Sequence, residues 1–256
     1  MYALLCVALT AATLSSSGLP PPAPQLAWEL VSRQPHDADA FTQGLELIDD
    51  RIVETSGLYG ESFLRIVDPT TWTELDAVEL PDEVFGEGAT VVDDRIIVLT
   101  WQEQRALVYA LDDLSSIGEL SYATQGWGLC ELDDGRLAMS DGTATITFRD
   151  PDDFSSLGEL SVELEGEPIG LLNELECVGD DIWANVWQTE EIVRIDAASG
   201  RVEAVVDADG LLEPDPADAD ADAVLNGIAH LGDDRFLVTG KLWPAVFEVR
   251  FVPEAG

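Results

Sequence analysis

The chain repeats one unit five times, and nothing else in it limits the fold as strongly. The clearest copy runs Phe85-Gly86-Glu87-Gly88-Ala89-Thr90-Val91-Val92, then Asp93-Asp94, then Arg95-Ile96-Ile97-Val98-Leu99-Thr100-Trp101. It reads as a glycine turn, an apolar strand, an acidic turn and a second apolar strand. The other copies begin at Phe41-Thr42-Gln43-Gly44, Gly126-Trp127-Gly128-Leu129, Asn173-Glu174-Leu175-Glu176 and Asn226-Gly227-Ile228-Ala229. Their acidic turns fall at Asp49-Asp50, Asp133-Asp134, Asp180-Asp181 and Asp233-Asp234, so successive turns lie 44, 40, 47 and 53 residues apart. A period of that size with strands inside it is the pattern of propeller blades.

Each unit supplies four strands. The second strands hold Val53, Ile96 to Leu99, Leu137 to Met139, Ile182 to Val186 and Phe236 to Val238, whose β-branched and aromatic content suits strands buried between sheets. An outer hairpin comes next, with Asp, Pro, Ser and Gly in turns such as Asp68-Pro69-Thr70-Thr71 and Asp150-Pro151-Asp152-Asp153. The last unit is one strand short, and Ala27 to Ser32 is a spare strand ahead of the first. Pairing the two would close the ring and cover both edges. The expected fold is therefore an all-β, five-bladed β-propeller whose N-terminal strand closes the last blade.

Residues 1–18 read as a signal peptide, because the apolar run Tyr2 to Leu14 is too short to span a bilayer. Residues 19–26, containing Pro20-Pro21-Pro22, read as a stiff linker, and 27–256 as the propeller. Export to the periplasm or the medium is expected, as a monomer. The 51 acidic residues against 12 basic ones give a net charge of −39. Such a surface excludes nucleic acid and anionic membranes as partners, since both are bound through Lys and Arg. Asp215 to Asp222 is a local acidic extreme, read as a solvated loop of blade five. Cys130 and Cys177 occupy equivalent positions in neighbouring units, three residues before their turns. They are open to two readings, a disulfide or a pair of buried thiols.

Equivalent positions of the repeats surround the axis of a propeller. Six residues before the first Asp of each turn stand Gln43, Glu87, Trp127, Glu174 and Gly227, with Asn173 and Asn226 one place earlier. Seven residues past the second Asp stand Gly57, Trp101, Asp141 and Lys241, with Trp187 one place short. Both sets lie at the same mouth of the ring, which thus gathers Gln43, Glu87, Trp101, Trp127, Asn173, Trp187 and Lys241. Lys241 is the only lysine in 256 residues. A carboxyl group among indoles is desolvated, which raises its pKa toward the range of a proton shuttle. An amide and an ammonium can stabilise an oxyanion, and aromatic walls hold a compact substrate. His36 and His230 are the only histidines and lack metal-ligand spacing, so neither metal nor cofactor is expected. Acyl transfer within one small substrate fits this equipment.

At these residues the chain resembles the plant- and bacterial-type glutaminyl-peptide cyclotransferases, over roughly His36 to Pro253. The segments that carry the resemblance are Ala40-Phe41-Thr42-Gln43-Gly44-Leu45, Phe85-Gly86-Glu87-Gly88, Leu99-Thr100-Trp101, Gly126-Trp127-Gly128-Leu129, Ser140-Asp141-Gly142, Asn173-Glu174-Leu175-Glu176, Leu225-Asn226-Gly227-Ile228-Ala229 and Thr239-Gly240-Lys241-Leu242-Trp243-Pro244. The resemblance implies a five-bladed propeller that converts the N-terminal glutamine of peptides and proteins to pyroglutamate, releasing ammonia without a catalytic metal. It implies Glu87 as proton shuttle, with Gln43, Asn173 and Lys241 positioning the substrate or stabilising the tetrahedral oxyanion. Phe41, Phe85, Trp101, Trp127 and Trp187 would form the pocket. Two other readings of the mouth stand beside it: a non-catalytic peptide-binding propeller, and a calcium-dependent lactonase-like hydrolase.

Overall fold

The computed structural model describes residues 22–213 and 221–254. The expected signal peptide and most of the acidic loop lie outside them. Five four-stranded blades surround an axis. Blade one is Thr42–Ile48, Arg51–Ser56, Phe63–Val67 and Glu74–Glu79; blade two is Gly86–Val92, Arg95–Thr100, Arg105–Ala110 and Ser116–Ser121. Blade three is Leu129–Glu131, Leu137–Met139, Thr145–Arg149 and Ser156–Ser161; blade four is Leu172–Val178, Asp181–Val186, Glu191–Asp196 and Val202–Asp207. Blade five is Leu225–Gly232, Arg235–Gly240 and Ala245–Pro253, completed by the N-terminal strand Gln25–Pro35. The first strand of each blade packs against its neighbours around the axis, and these inner strands close the ring. A hairpin of Glu163–Leu164 with Glu167–Pro168 joins blades three and four; the repeat count does not anticipate it.

Closure is more extensive than a spare strand alone requires. Gln25–Pro35 pairs antiparallel with Ala245–Pro253 from Leu26↔Pro253 to Pro35↔Ala245, and its first two residues also pair parallel with Val205 and Val206 of blade four. Blades four and five thereby form one sheet of eight strands. The expected linker 19–26 is shortened accordingly. Gln25 and Leu26 are strand, Pro24 O accepts from Val205 N at 3.0 Å, and Ala23 is buried against blades three and four. Proline cannot donate to a ladder but its carbonyl can accept, so the proline-rich composition hid an ordered segment.

Two covalent or ionic devices reinforce the ring. Cys130 and Cys177 are joined in a disulfide, Cα–Cα 5.5 Å, between the inner strands of blades three and four. It closes a loop of 47 residues. Replacing both cysteines by alanine is expected to cost about 2–4 kcal/mol of unfolding free energy, measured by urea titration against the oxidised parent.

At the closing seam, Glu54 is fully buried. It accepts from Thr42 Oγ1 at 2.9 Å and Arg65 Nε at 2.8 Å, and pairs with His36 Nε2 at 2.9 Å. His36 Nδ1 meets the Trp243 carbonyl at 2.8 Å. A carboxylate and a carbonyl can only accept, so both ring nitrogens of His36 donate and the ring is an imidazolium. Burial alone would lower the His36 pKa; the charge and hydrogen bond of Glu54 outweigh it, and the net shift is upward. Burial would likewise raise Glu54, and His36 with Arg65 pull it below its ordinary value. The signs define a window. The His36 contribution is complete below its unfolded value of 6.5 and is lost as pH rises through the higher folded value. The Glu54 contribution is complete above 4.5 and is lost as pH falls through the depressed folded value. Glu54→Ala leaves the buried His36 imidazolium without its carboxylate and Arg65 with only Asp37, at 3.3 Å, and should destabilise the protein by about 3 kcal/mol near pH 6, as read from denaturant midpoints.

Candidate active site

The acidic turns show how the mouth is built. Asp49, Asp93 and Asp233 open two-residue hairpin turns with φ of 54°, 52° and 56°, a left-handed geometry that aspartate tolerates. In blade four, Val178 pairs with Asp181, so the turn is Gly179-Asp180 and Gly179 takes the positive φ of 62°. Asp181 is already strand, and the sequence alignment of this unit is one residue late. Counted from the true turn, six residues back is Asn173 and seven forward is Trp187 (179 − 6 and 180 + 7). In blade five an irregularity between His230 and Gly232 inserts a residue and moves the inner position back to Asn226. The first ring is thus Gln43, Glu87, Trp127, Asn173 and Asn226; the second is Gly57, Trp101, Asp141, Trp187 and Lys241.

The residues just past the ring positions repeat as well. After the first ring come Gly44, Gly88, Gly128, Glu174 and Gly227. A Cβ on Gly88 would lie 2.6 Å from the Trp127 carbonyl oxygen, and one on Gly128 2.1 Å from that of Asn173, so neighbouring inner strands meet only because side chains are missing there. Glu174 is the exception. It sends its carboxylate to Leu45 N at 3.3 Å and Ile228 N at 2.8 Å, binding blade four to blades one and five. Its place is therefore a structural one between blades. After the second ring, Leu58, Gly142, Gln188 and Leu242 all have positive φ, 93°, 80°, 65° and 59°. The chain reverses sharply at each, and for the non-glycine residues this conformation costs about 1 kcal/mol or more apiece.

Beneath the mouth lie buried polar groups. Gln43 and Asn173 are 2% exposed, Glu87 and Lys241 4%, Asn226 and Asn185 not at all. Asn226 Nδ2 donates to Thr42 O at 2.9 Å and to Gln43 Oε1 at 3.3 Å, and Asn185 Oδ1 accepts from Gly227 N at 2.9 Å. These bonds fix both amides. Among the described residues, Asn173 Oδ1, Asn226 Oδ1 and Asn185 Nδ2 are buried without a protein partner.

Burial drives the Glu87 pKa well above the carboxylate range; Lys241 pulls it down and Glu103 pushes it up. Burial likewise lowers Lys241 to about 8, against the attraction of Glu87 and Asp222. Acid and base thus share one desolvated space. Lys241 Nζ also sits 4.7 Å from the centre of the Phe41 ring.

The walls are aromatic and consist of two groups of rings in contact. Phe85 meets Phe41, Tyr59 and Trp101 edge-on with ring centres 6.0, 5.5 and 5.7 Å apart. Trp127 and Trp187 meet at 5.5 Å with planes at 89°. Gly57 and Gly142 are seats in this wall: a Cβ would fall 2.2 Å from the Phe85 ring at one and 2.6 Å from the Trp127 indole at the other. All nine residues singled out from the sequence are accordingly brought to one mouth. Asp141 is turned to its own loop, accepting from Thr143 N and Oγ1. Three contributors occupy no counted position: Tyr59, which donates to Glu103 at 2.8 Å; Glu103 itself; and Gln125 between two indoles. Their only sequence signal is closeness to Gly57, Trp101 and Trp127.

Among the described residues no group of three or more His, Cys, Asp or Glu side chains is set to hold a metal ion. A cleft of about 310 Å³ lies at the opposite end of the ring, beside Asp49 and Asp50, and its Glu248 is already held by Ser32 and Arg235.

Fold and site define a class: a five-bladed propeller with a buried acid, a buried amine and four buried carboxamides under an aromatic rim. The family described as "Glutamine cyclotransferase" matches residues 1–251, and the chain belongs to it. A glutaminyl-peptide cyclotransferase of Arabidopsis thaliana is 36% identical over 229 residues, 87% of this chain and 70% of its own length. The crystal structure of Myxococcus xanthus glutaminyl cyclase superposes with a TM-score of 0.82 at 33% identity, covering 91% of this chain and all of that one.

Proposed function

We propose that this chain cyclises the N-terminal glutamine of peptides and proteins to pyroglutamate with release of ammonia. The observation that carries the reading is Glu87, a buried carboxyl group at the mouth whose pKa is raised by burial and drawn back by the charge of Lys241. The side chain of the substrate enters between Phe41, Phe85, Trp101, Trp127 and Trp187. The neutral α-amine attacks the γ-carboxamide carbon, forming the ring C–N bond. Glu87 takes the proton the amine loses and returns it to the departing nitrogen as the old C–N bond breaks, so one ammonia leaves and no net proton is consumed. Charge on the tetrahedral oxygen is met by Lys241 and an amide, with Gln43 and Asn173 setting the position of the substrate. The reaction is an acyl transfer that draws on no metal or cofactor.

Export belongs to the same proposal, supported by the apolar N-terminal run and by a disulfide, which persists in oxidising compartments. The test incubates the purified chain with a short Gln-initiated peptide and chelator, following mass and ammonia. Loss of one ammonia per peptide is the expected result. A folded protein without turnover at low and high salt overturns the reading and favours a peptide-binding propeller. Turnover abolished by chelator and restored by calcium favours the hydrolase-type site.

A further inference from the structure

We propose that Gln125 is a positioning residue that holds the two halves of the pocket wall together. Its Oε1 accepts from Trp101 Nε1 at 2.8 Å and from Trp127 Nε1 at 3.1 Å. Indole nitrogens only donate, so the amide orientation is fixed by both partners. Trp101 follows the second strand of blade two, and Trp127 precedes the inner strand of blade three. Trp101 is continuous with Phe85, Phe41 and Tyr59; Trp127 is continuous with Trp187 of blade four. One carboxamide oxygen is thus the polar link between the two aromatic groups, beside a backbone bond from Gly126 N to Trp101 O at 3.0 Å.

The inference deepens the cyclase reading and rests on it. With both N–H groups committed to Gln125, neither indole can donate to the substrate carboxamide. The wall then presents ring surface only. Polar recognition is left to Gln43, Asn173, Asn226, Asn185 and Lys241 on the floor, which brings the reacting carbon to Glu87. An indole released from Gln125 could rotate and offer its N–H sideways, trapping the carboxamide out of register. Gln125 itself is exposed, so its replacement should leave fold stability nearly unchanged.

The experiment compares Gln125→Leu, which keeps bulk and removes the acceptor, with Gln125→Glu, which keeps an acceptor for both indoles. Steady-state kinetics on a Gln-initiated peptide are read beside the indole N–H signals of ¹⁵N-Trp-labelled protein. In Gln125→Leu, kcat/KM should fall about tenfold, mostly in kcat, because misplaced reacting atoms lose near-attack geometry. Two indole signals should shift together, and the melting temperature should hold. Gln125→Glu should restore both signals and bring kcat/KM back to within about threefold of wild type. The proposal is overturned if Gln125→Leu turns over like wild type, if its indole signals do not move, or if Gln125→Glu is as impaired as Gln125→Leu. Wild-type turnover tests the cyclase reading separately; were it absent, the indole signals would still decide whether Gln125 holds the wall.

Discussion

Glu87→Gln is expected to lower kcat by about 10³–10⁴ while leaving the propeller folded. The substitution keeps the shape of the side chain and removes the proton transfer from amine to ammonia that the proposed mechanism assigns to it. In the proposed mechanism Lys241 acts as a cation and cannot replace that function. Stability should hold or rise slightly, because a buried carboxylate opposed by burial is exchanged for a neutral amide. One side effect must be separated. Without the Glu87 charge, Lys241 loses an interaction that raises its pKa and will deprotonate at lower pH than about 8. Rates should therefore be compared near pH 6.5 as well as at the optimum. A peptide-binding propeller would bind a Gln-initiated peptide equally well with either residue, and calorimetry on the same samples tests that alternative. Binding retained with turnover lost supports the shuttle; turnover retained within a few fold removes Glu87 from the mechanism.

The repeat made the ring of blades readable because each blade must bury the same faces, and Ala27 to Ser32 could be assigned to the last blade by counting strands. Counting along sequence fails where a turn moves by one residue. Gly179 takes the left-handed position that Asp49 and Asp93 take elsewhere, so Asp180-Asp181 looked like the turn and Asn173 and Trp187 looked displaced. Glu174 shows the converse. It fell on a counted position, yet its carboxylate is committed to backbone N–H groups of Leu45 and Ile228, a fact set by the packing of three blades. Cys130 and Cys177 were placed as neighbours by equivalence, but only their 5.5 Å Cα separation decides for the disulfide. Gln125 has no counterpart in the repeat. Its role depends on two indoles from different blades pointing at one oxygen, which no one-dimensional pattern encodes.

The pH profile offers the second large effect, through Lys241. In the free protein its ammonium is held at a pKa of about 8 by burial, against Glu87 and Asp222. A cation needed for the oxyanion is then lost as pH rises through about 8, which sets the alkaline limb of kcat/KM. The acid limb comes from Glu87, which must be a carboxylate to accept a proton and whose pKa is raised, and from the peptide amine, which must be neutral. A narrow bell is expected, with Lys241→Met lowering kcat by about 10³ across it. Stability should move the opposite way to activity on the alkaline side. Between about 8 and 10.5 the unfolded chain holds a proton on Lys241 that the folded chain has released, so unfolding free energy rises with pH there. Lys241→Met should abolish that rise, because the group responsible for it is gone. A variant in which activity falls but the alkaline gain in stability persists would show that another group titrates. A variant in which both vanish together ties the limb to the one lysine of the chain.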